Sequence, residues 1–240
     1  LLDKVNIVFI PVFNADGHER STLYNRPNQR GPKQMGWRNT AQNLNLNRDY
    51  MKADAPEMHA LLGLFAKYNP DFYIDLHVTD GMDYQYDMTY GFMGRDGSYA
   101  ASRNIARWLN TQYQPHLDEA LRRNGHIPGD LVFANNDRNI EEGLAAFTFS
   151  PRFSQAYGDM IGLPSVLFEN HSLKPYRQRV LGTYVLLAAS LEILGREGRR
   201  LQEAIAADRA LRPAELALTW TGAGPIGAVD FLGIDYELYD

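Results

Sequence analysis

The chain has 240 residues, 45% of them hydrophobic and 22% charged, which is enough apolar material for one large α/β domain. Its net charge of −5 speaks against a general nucleic-acid binder, which would present a basic face. There is no cysteine, so disulfides and thiolate metal sites are excluded and any metal would have to rest on His, Asp or Glu.

The first element is Val5–Phe13 (VNIVFIPVF), an apolar run with the length and β-branched content of a buried strand. It begins almost at the first residue, without an initiating Met, and the chain stops within strand-like VDFLGIDYELYD. Both ends therefore read as cut. The run closes at Asn14, and Asp16-Gly17 continues it as a natural turn. The donor-rich stretch AQNLNLNRDY (41–50) then leads into a helical pattern over Ala55–Tyr68. Phe72–Leu76 reads as a second strand, ended by His77. Residues 78–150 are the least regular: DGMDYQYDMTYGFMGRDG predicts loops, and a helical pattern follows over about Ser98–Arg123. Leu163–Phe168 is the third strand, ended by Glu169.

A long helix is predicted from about Pro175 to Leu211, with Val180, Leu181, Tyr184, Val185, Leu187, Leu191 and Leu194 forming an apolar face that a sheet must cover. Pro213 ends it. Glu215–Tyr239 reads as short alternating strands around the turn TGAGPIG. The expected organisation is a main domain over residues 1–212 and a β-rich extension over 213–240, the start of a second domain or a hairpin. The apolar run around Val180–Ser190 is too short to span a bilayer.

Strands alternating with helices predict an α/β fold with a mixed, largely parallel sheet flanked by helices. In such sheets ligand sites gather beyond the carboxyl ends of the strands. Taken singly, His77 reads as a core histidine, Glu169 as a helix-capping or salt-bridged carboxylate, and Arg38 and Arg48 as surface partners of Asp49, Asp54 or Glu57. Together they offer the parts of a hydrolytic site.

Four segments carry a resemblance in the right order: PVFNADG (11–17), WRNTAQNLNLNRDY (37–50), DFYIDLH (71–77) and LPSVLFENHSLKPY (163–176). The chain resembles the zinc carboxypeptidases, the metallocarboxypeptidases of the carboxypeptidase A type. The resemblance implies that His77 binds zinc and that Glu169 is the general base acting on a zinc-bound water. It further implies that Arg38 stabilises the oxyanion, and that Asn47 and Arg48 hold the substrate's terminal carboxylate. The chemistry suits the residues. A guanidinium fork donates two parallel hydrogen bonds to a carboxylate. A preorganised donor at a developing oxyanion is worth ~3 kcal/mol in other enzymes. Asn43 and Asn45 are expected to support the loop.

The chain departs from the family pattern in two places. The family's other zinc ligands form an H-x-x-E pair upstream of the first strand, and no H-x-x-E occurs here. The chain is therefore expected to be inactive and poor in metal, either because the pair lies on an absent segment or because this is a metal-free relative. The family's flexible tyrosine has its nearest counterpart in Tyr157, at a shorter spacing than that role requires, which leaves lining the pocket as its alternative role. Arg152 in the same loop is a further candidate substrate contact. His18, His59, His116, His126 and His171 read as structural or surface residues. The expected partners are peptide or protein C-termini, with neither nucleic acid nor membrane, and export is favoured over the cytoplasm by the habit of bacterial relatives. A zinc amidohydrolase for acylated amino acids or cell-wall peptides and a non-catalytic carboxylate-binding module are the alternative readings.

Overall fold

The computed structural model describes residues 2–237 apart from 147, 222, 223 and 226. Its central sheet runs in the order β1 (Tyr73–Val78), β6 (Ser165–Asn170), β2 (Met88–Gly91), β3 (Pro128–Asp130). β1 pairs parallel with β6, β2 pairs parallel with β3, and β2 runs antiparallel to β6. A separate two-stranded ladder joins β4 (Phe133–Ala134) to β5 (Leu144–Ala145). The helices are α1 (Ala15–Glu19), α2 (Pro56–Tyr68), α3 (Arg103–Trp108), α4 (Gln114–Arg123), α5 (Ser154–Ile161) and α6 (Tyr176–Ala210); a π turn over Leu109–Tyr113 links α3 to α4. The mixed, largely parallel sheet with flanking helices is the expected α/β architecture.

One face of the sheet carries the main core. Met88, Tyr90, Val166 and Phe168 pack there with Ile105, Leu117 and Leu121 and with Leu186, Ile193, Leu201 and Ile205 of α6. The expected stripe of α6 holds in part: Val185, Leu187 and Leu194 pack against the core, but Val180, Leu181 and Tyr184 are exposed, and Leu186, Ala189 and Ile193 are buried instead. The N-terminal half of this helix is apolar on both sides, so composition alone does not choose the inner face. Two acids from elsewhere satisfy the open N–H groups at the start of α3. Asp159 accepts from Ala101 N and Ser102 N, and Asp208 from Asn104 N and Ile105 N. On the opposite face a smaller core (Leu46, Tyr50, Ala55, Met58, Leu61) meets Tyr73 and Tyr157. Close packing there depends on Gly158, where a Cβ would lie 1.9 Å from Ser165 Oγ.

Three sequence expectations are corrected. Val5–Phe13 is not a strand; Val8 and Phe9 are 54% and 69% exposed, and no described strand lies alongside to complete its backbone hydrogen bonds. Apolar composition marks a segment as fit for burial, but a ladder also needs a neighbour. Within the stretch expected to be loop, Met88–Gly91 is a fully buried strand, four residues held between β6 and β3. No strand forms among the described residues of 213–237, and part of that expected β extension lies outside the described residues. The tail is instead held at several places: Trp220 packs on Tyr99, and Tyr236 OH accepts from Ile140 N (3.2 Å). Gln85 N donates to Leu232 O (2.9 Å), and Phe231 packs on Tyr84 and Tyr86. Among the described residues no helix is long and apolar enough to cross a membrane.

Candidate active site

Register and pleat bring the first pair together. His77 and Glu169 are Cα partners across the parallel β1–β6 ladder. Both sit one residue inside the strand, not just beyond it, because the ladder runs two residues further than the apolar runs suggest. Alternation sends Ile74 of β1 and Val166 and Phe168 of β6 into the main core. It therefore leaves Tyr73, Asp75, His77 and Glu169 on the other face.

Asp75 supports the imidazole from two residues upstream. His77 Nε2 lies 2.8 Å from Asp75 Oδ2, an ion-pair contact without hydrogen-bond angle, with the side chains 18% and 15% exposed. Burial pulls the histidine pKa down, but the Asp75 carboxylate more than reverses this and brings it to about 9. On Asp75 burial acts upward, and the paired histidine, with the hydroxyls of Ser154 and Tyr50, holds the carboxyl below its usual range. Tyr50 OH in turn shares a 2.7 Å hydrogen bond with Tyr73 OH.

Glu169 is poised differently. Its Oε2 is buried and has no hydrogen-bond partner among the described residues. Burial lifts its carboxyl to about 7 against the downward pull of His77. A carboxyl in that range can both take and return a proton near neutral pH. Its pH linkage has a definite sign, because the folded chain keeps a proton that an unfolded chain, titrating at 4.5, has released. Glu169 thus favours the fold fully below pH 4.5 and loses that contribution as pH rises through about 7. Glu169→Gln is expected to flatten this part of the stability profile, read as the urea midpoint across the same window. A parent profile as flat as the variant's would contradict the raised carboxyl.

The donor-rich segment faces the pair. Asn14 caps α1, accepting from Gly17 N (2.9 Å), and its amide donates to Arg38 O (3.1 Å), so the early turn fixes the backbone that carries Arg38. Gly17 is required at this crossing, since a Cβ would lie 2.4 Å from Trp37 O. Asn47 and Arg48 lie in a single 3-10 turn, Leu46–Arg48, capped by the Asn45 side chain, which accepts from Asn47 N (3.1 Å). Asn43 supplies the left-handed residue (φ 60°) of the preceding turn. Asp49 is buried and accepts from Asp54 N and Ala55 N at the start of α2, which leaves it no ion pair with Arg48. The Arg48 guanidinium instead lies 4.3 Å from the Phe153 ring centroid, and Arg152 lies 5.1 Å from the same ring. Burial, then Arg38 and Arg152, weaken the hold of Arg48 on its proton, while Asp80 and Glu169 strengthen it. Arg26 is affected in the same sense by burial and Arg38.

Six of the seven residues singled out in the sequence thus share one neighbourhood: Arg38, Asn47, Arg48, His77, Arg152 and Glu169. Tyr157 lies a layer behind, its ring 5.7 Å from that of Tyr50 within the smaller core. Sequence reasoning missed Asp75, Tyr50, Ser154, Phe153 and Arg26. The period-2 pattern of YIDLH could have exposed Asp75, because it places Tyr73, Asp75 and His77 on one face. His171, read as structural, is fully buried between Asp83 and Tyr84.

Among the described residues, no group of three or more His, Asp or Glu side chains converges as a metal centre would require. The family model for zinc carboxypeptidases matches residues 1–132. No curated protein and no solved structure matches the chain.

Proposed function

The chain belongs to the zinc carboxypeptidase family, and on that premise we propose that its site grips the terminal carboxylate of a peptide and presents the last peptide bond for hydrolysis. Membership makes it a carboxypeptidase-like hydrolase. The observation that supports the reading most is that a two-donor turn, Asn47-Arg48, stands against the His77–Glu169 pair, with the charge of Arg38 acting on both.

In this reading Asn47 and Arg48 hold the carboxylate, the guanidinium through two parallel hydrogen bonds and the amide through one more. That fixes the scissile bond at one distance from Glu169. Glu169 takes a proton from the attacking water as its oxygen bonds to the carbonyl carbon. It returns that proton to the departing amine as the C–N bond breaks. Arg38 faces the carbonyl oxygen as it becomes negative. Zinc is the metal the family implies. His77, oriented by Asp75, is a ligand it could use, and the described residues do not by themselves fit a zinc centre.

The reading is tested by titrating the chain with one peptide in two forms, free acid and C-terminal amide. The acid is expected to bind at least about tenfold more tightly, since the amide forfeits the charged hydrogen bonds. Equal affinities would remove Asn47 and Arg48 from the proposed role.

A further inference from the structure

The site holds more positive charge than one carboxylate requires. The arginines in ion pairs with acidic side chains among the described residues are Arg95, Arg122, Arg196, Arg199 and Arg200. Arg26, Arg38, Arg48 and Arg152 are not among them. Two of these four share a platform. Arg48 reaches Phe153 from the 3-10 turn, and Arg152 reaches it from the adjoining residue. The platform is built into the fold: Phe153 N donates to Ser150 O (3.1 Å), its carbonyl accepts from Tyr157 N (2.9 Å), and Phe149 packs against its ring. Two like charges held against one ring repel, and an anion bound between them offsets that cost. The acids that act on Arg48 are Glu169, across the site, and the exposed Asp80.

One terminal carboxylate occupies Asn47 and Arg48 and leaves Arg152 free. We propose that the residue at the substrate's C-terminus is itself acidic, a glutamate or aspartate, with its side-chain carboxylate on Arg152 and its main-chain carboxylate on Asn47 and Arg48. The inference rests on the carboxylate-clamp reading of the site. The shared ring brings both cations to one substrate residue. An acid at the penultimate position would point the other way, because successive side chains of an extended peptide alternate. A glutamine offers Arg152 one neutral acceptor in place of a charged, two-oxygen partner.

Calorimetric titration of the 240-residue chain with four acetylated tripeptides tests this: Ala-Ala-Glu, Ala-Ala-Gln, Ala-Glu-Ala, and Ala-Ala-Glu with its α-carboxylate amidated. The Glu-terminated acid is expected to bind about tenfold more tightly than the Gln-terminated acid and than Ala-Glu-Ala. Arg152→Gln should bring the first two within about twofold, chiefly by weakening the Glu peptide, while Arg152→Lys should keep part of the preference. Equal binding of the Glu and Gln peptides overturns the proposal, and so does a preference that survives Arg152→Gln. Ala-Glu-Ala binding as tightly as Ala-Ala-Glu overturns it too, as mere charge attraction. In those cases the clamp itself stands if the α-amide binds more weakly than the acid. An α-amide that binds as well as the acid, or four peptides that do not bind at all, overturns both.

Discussion

Arg48→Ala is expected to weaken binding of a free-acid peptide by about thirtyfold to a hundredfold and to leave the matching amide within about twofold. The size follows from what the guanidinium supplies, two charge-assisted hydrogen bonds to an anion, worth ~2–3 kcal/mol when their partner would otherwise be desolvated without compensation. The selectivity between acid and amide matters more than the size. Arg48 also lies on Phe153 and donates to Asn47 O (2.7 Å), so its removal could disturb the turn and weaken every ligand. Loss confined to the acid locates the effect in carboxylate recognition. Arg48→Lys separates charge from shape: a lysine keeps the attraction and lacks the fork, so an intermediate affinity is expected. Titration of both variants with both peptides reads this directly, and equal losses on acid and amide would refute the role.

The second large effect concerns the strand that carries Glu169. Phe168 is fully buried, its ring 5.1 Å from that of Tyr90, and it faces the main core one residue before the candidate base. Phe168→Ala is expected to cost about 3–5 kcal/mol, the transfer of the ring plus the cavity it leaves. Urea unfolding measures the loss. Leu181→Ala is the control: an apolar residue of α6 that is 45% exposed, whose replacement is expected to change stability by no more than about 0.5 kcal/mol. A similar cost at both positions would mean that the core is not the one described. The control also matters because the sequence alone assigns Leu181 to the inner face.

That contrast indicates how much is legible in the sequence. The long helices follow from periodicity and their stops: Pro at the start of α2, Asn69 in the left-handed region at its end, and the stop of α6 at Ala210, before Pro213. Two of the three expected strands form, each displaced toward its C-terminus, because hydrophobicity ends before the ladder does. The third, Val5–Phe13, does not, because pairing depends on a neighbour that local sequence does not disclose. Met88–Gly91 escapes sequence reading for the opposite reason, as four residues between two ladders give too short a pattern to register. Of the site, the ordered motifs disclose the charged residues proposed to meet ligand. They do not disclose the supports. Phe153 beneath two arginines and Asn14 beneath Arg38 act through contacts that exist only once the chain is folded; of the supports, only Asp75 is hinted at, by the alternation that sets it on the face of His77.

The central claim is that a substrate's terminal carboxylate sits on the Asn47-Arg48 turn, opposite Glu169. It is tested most directly by the crystal structure of the chain bound to an acetylated peptide with a free C-terminus. The expected result places both terminal oxygens within hydrogen-bond distance of the Arg48 guanidinium and the Asn47 amide, with the last peptide carbonyl turned toward Arg38. A peptide seated with its carboxylate elsewhere, or reversed across the His77–Glu169 pair, would contradict it.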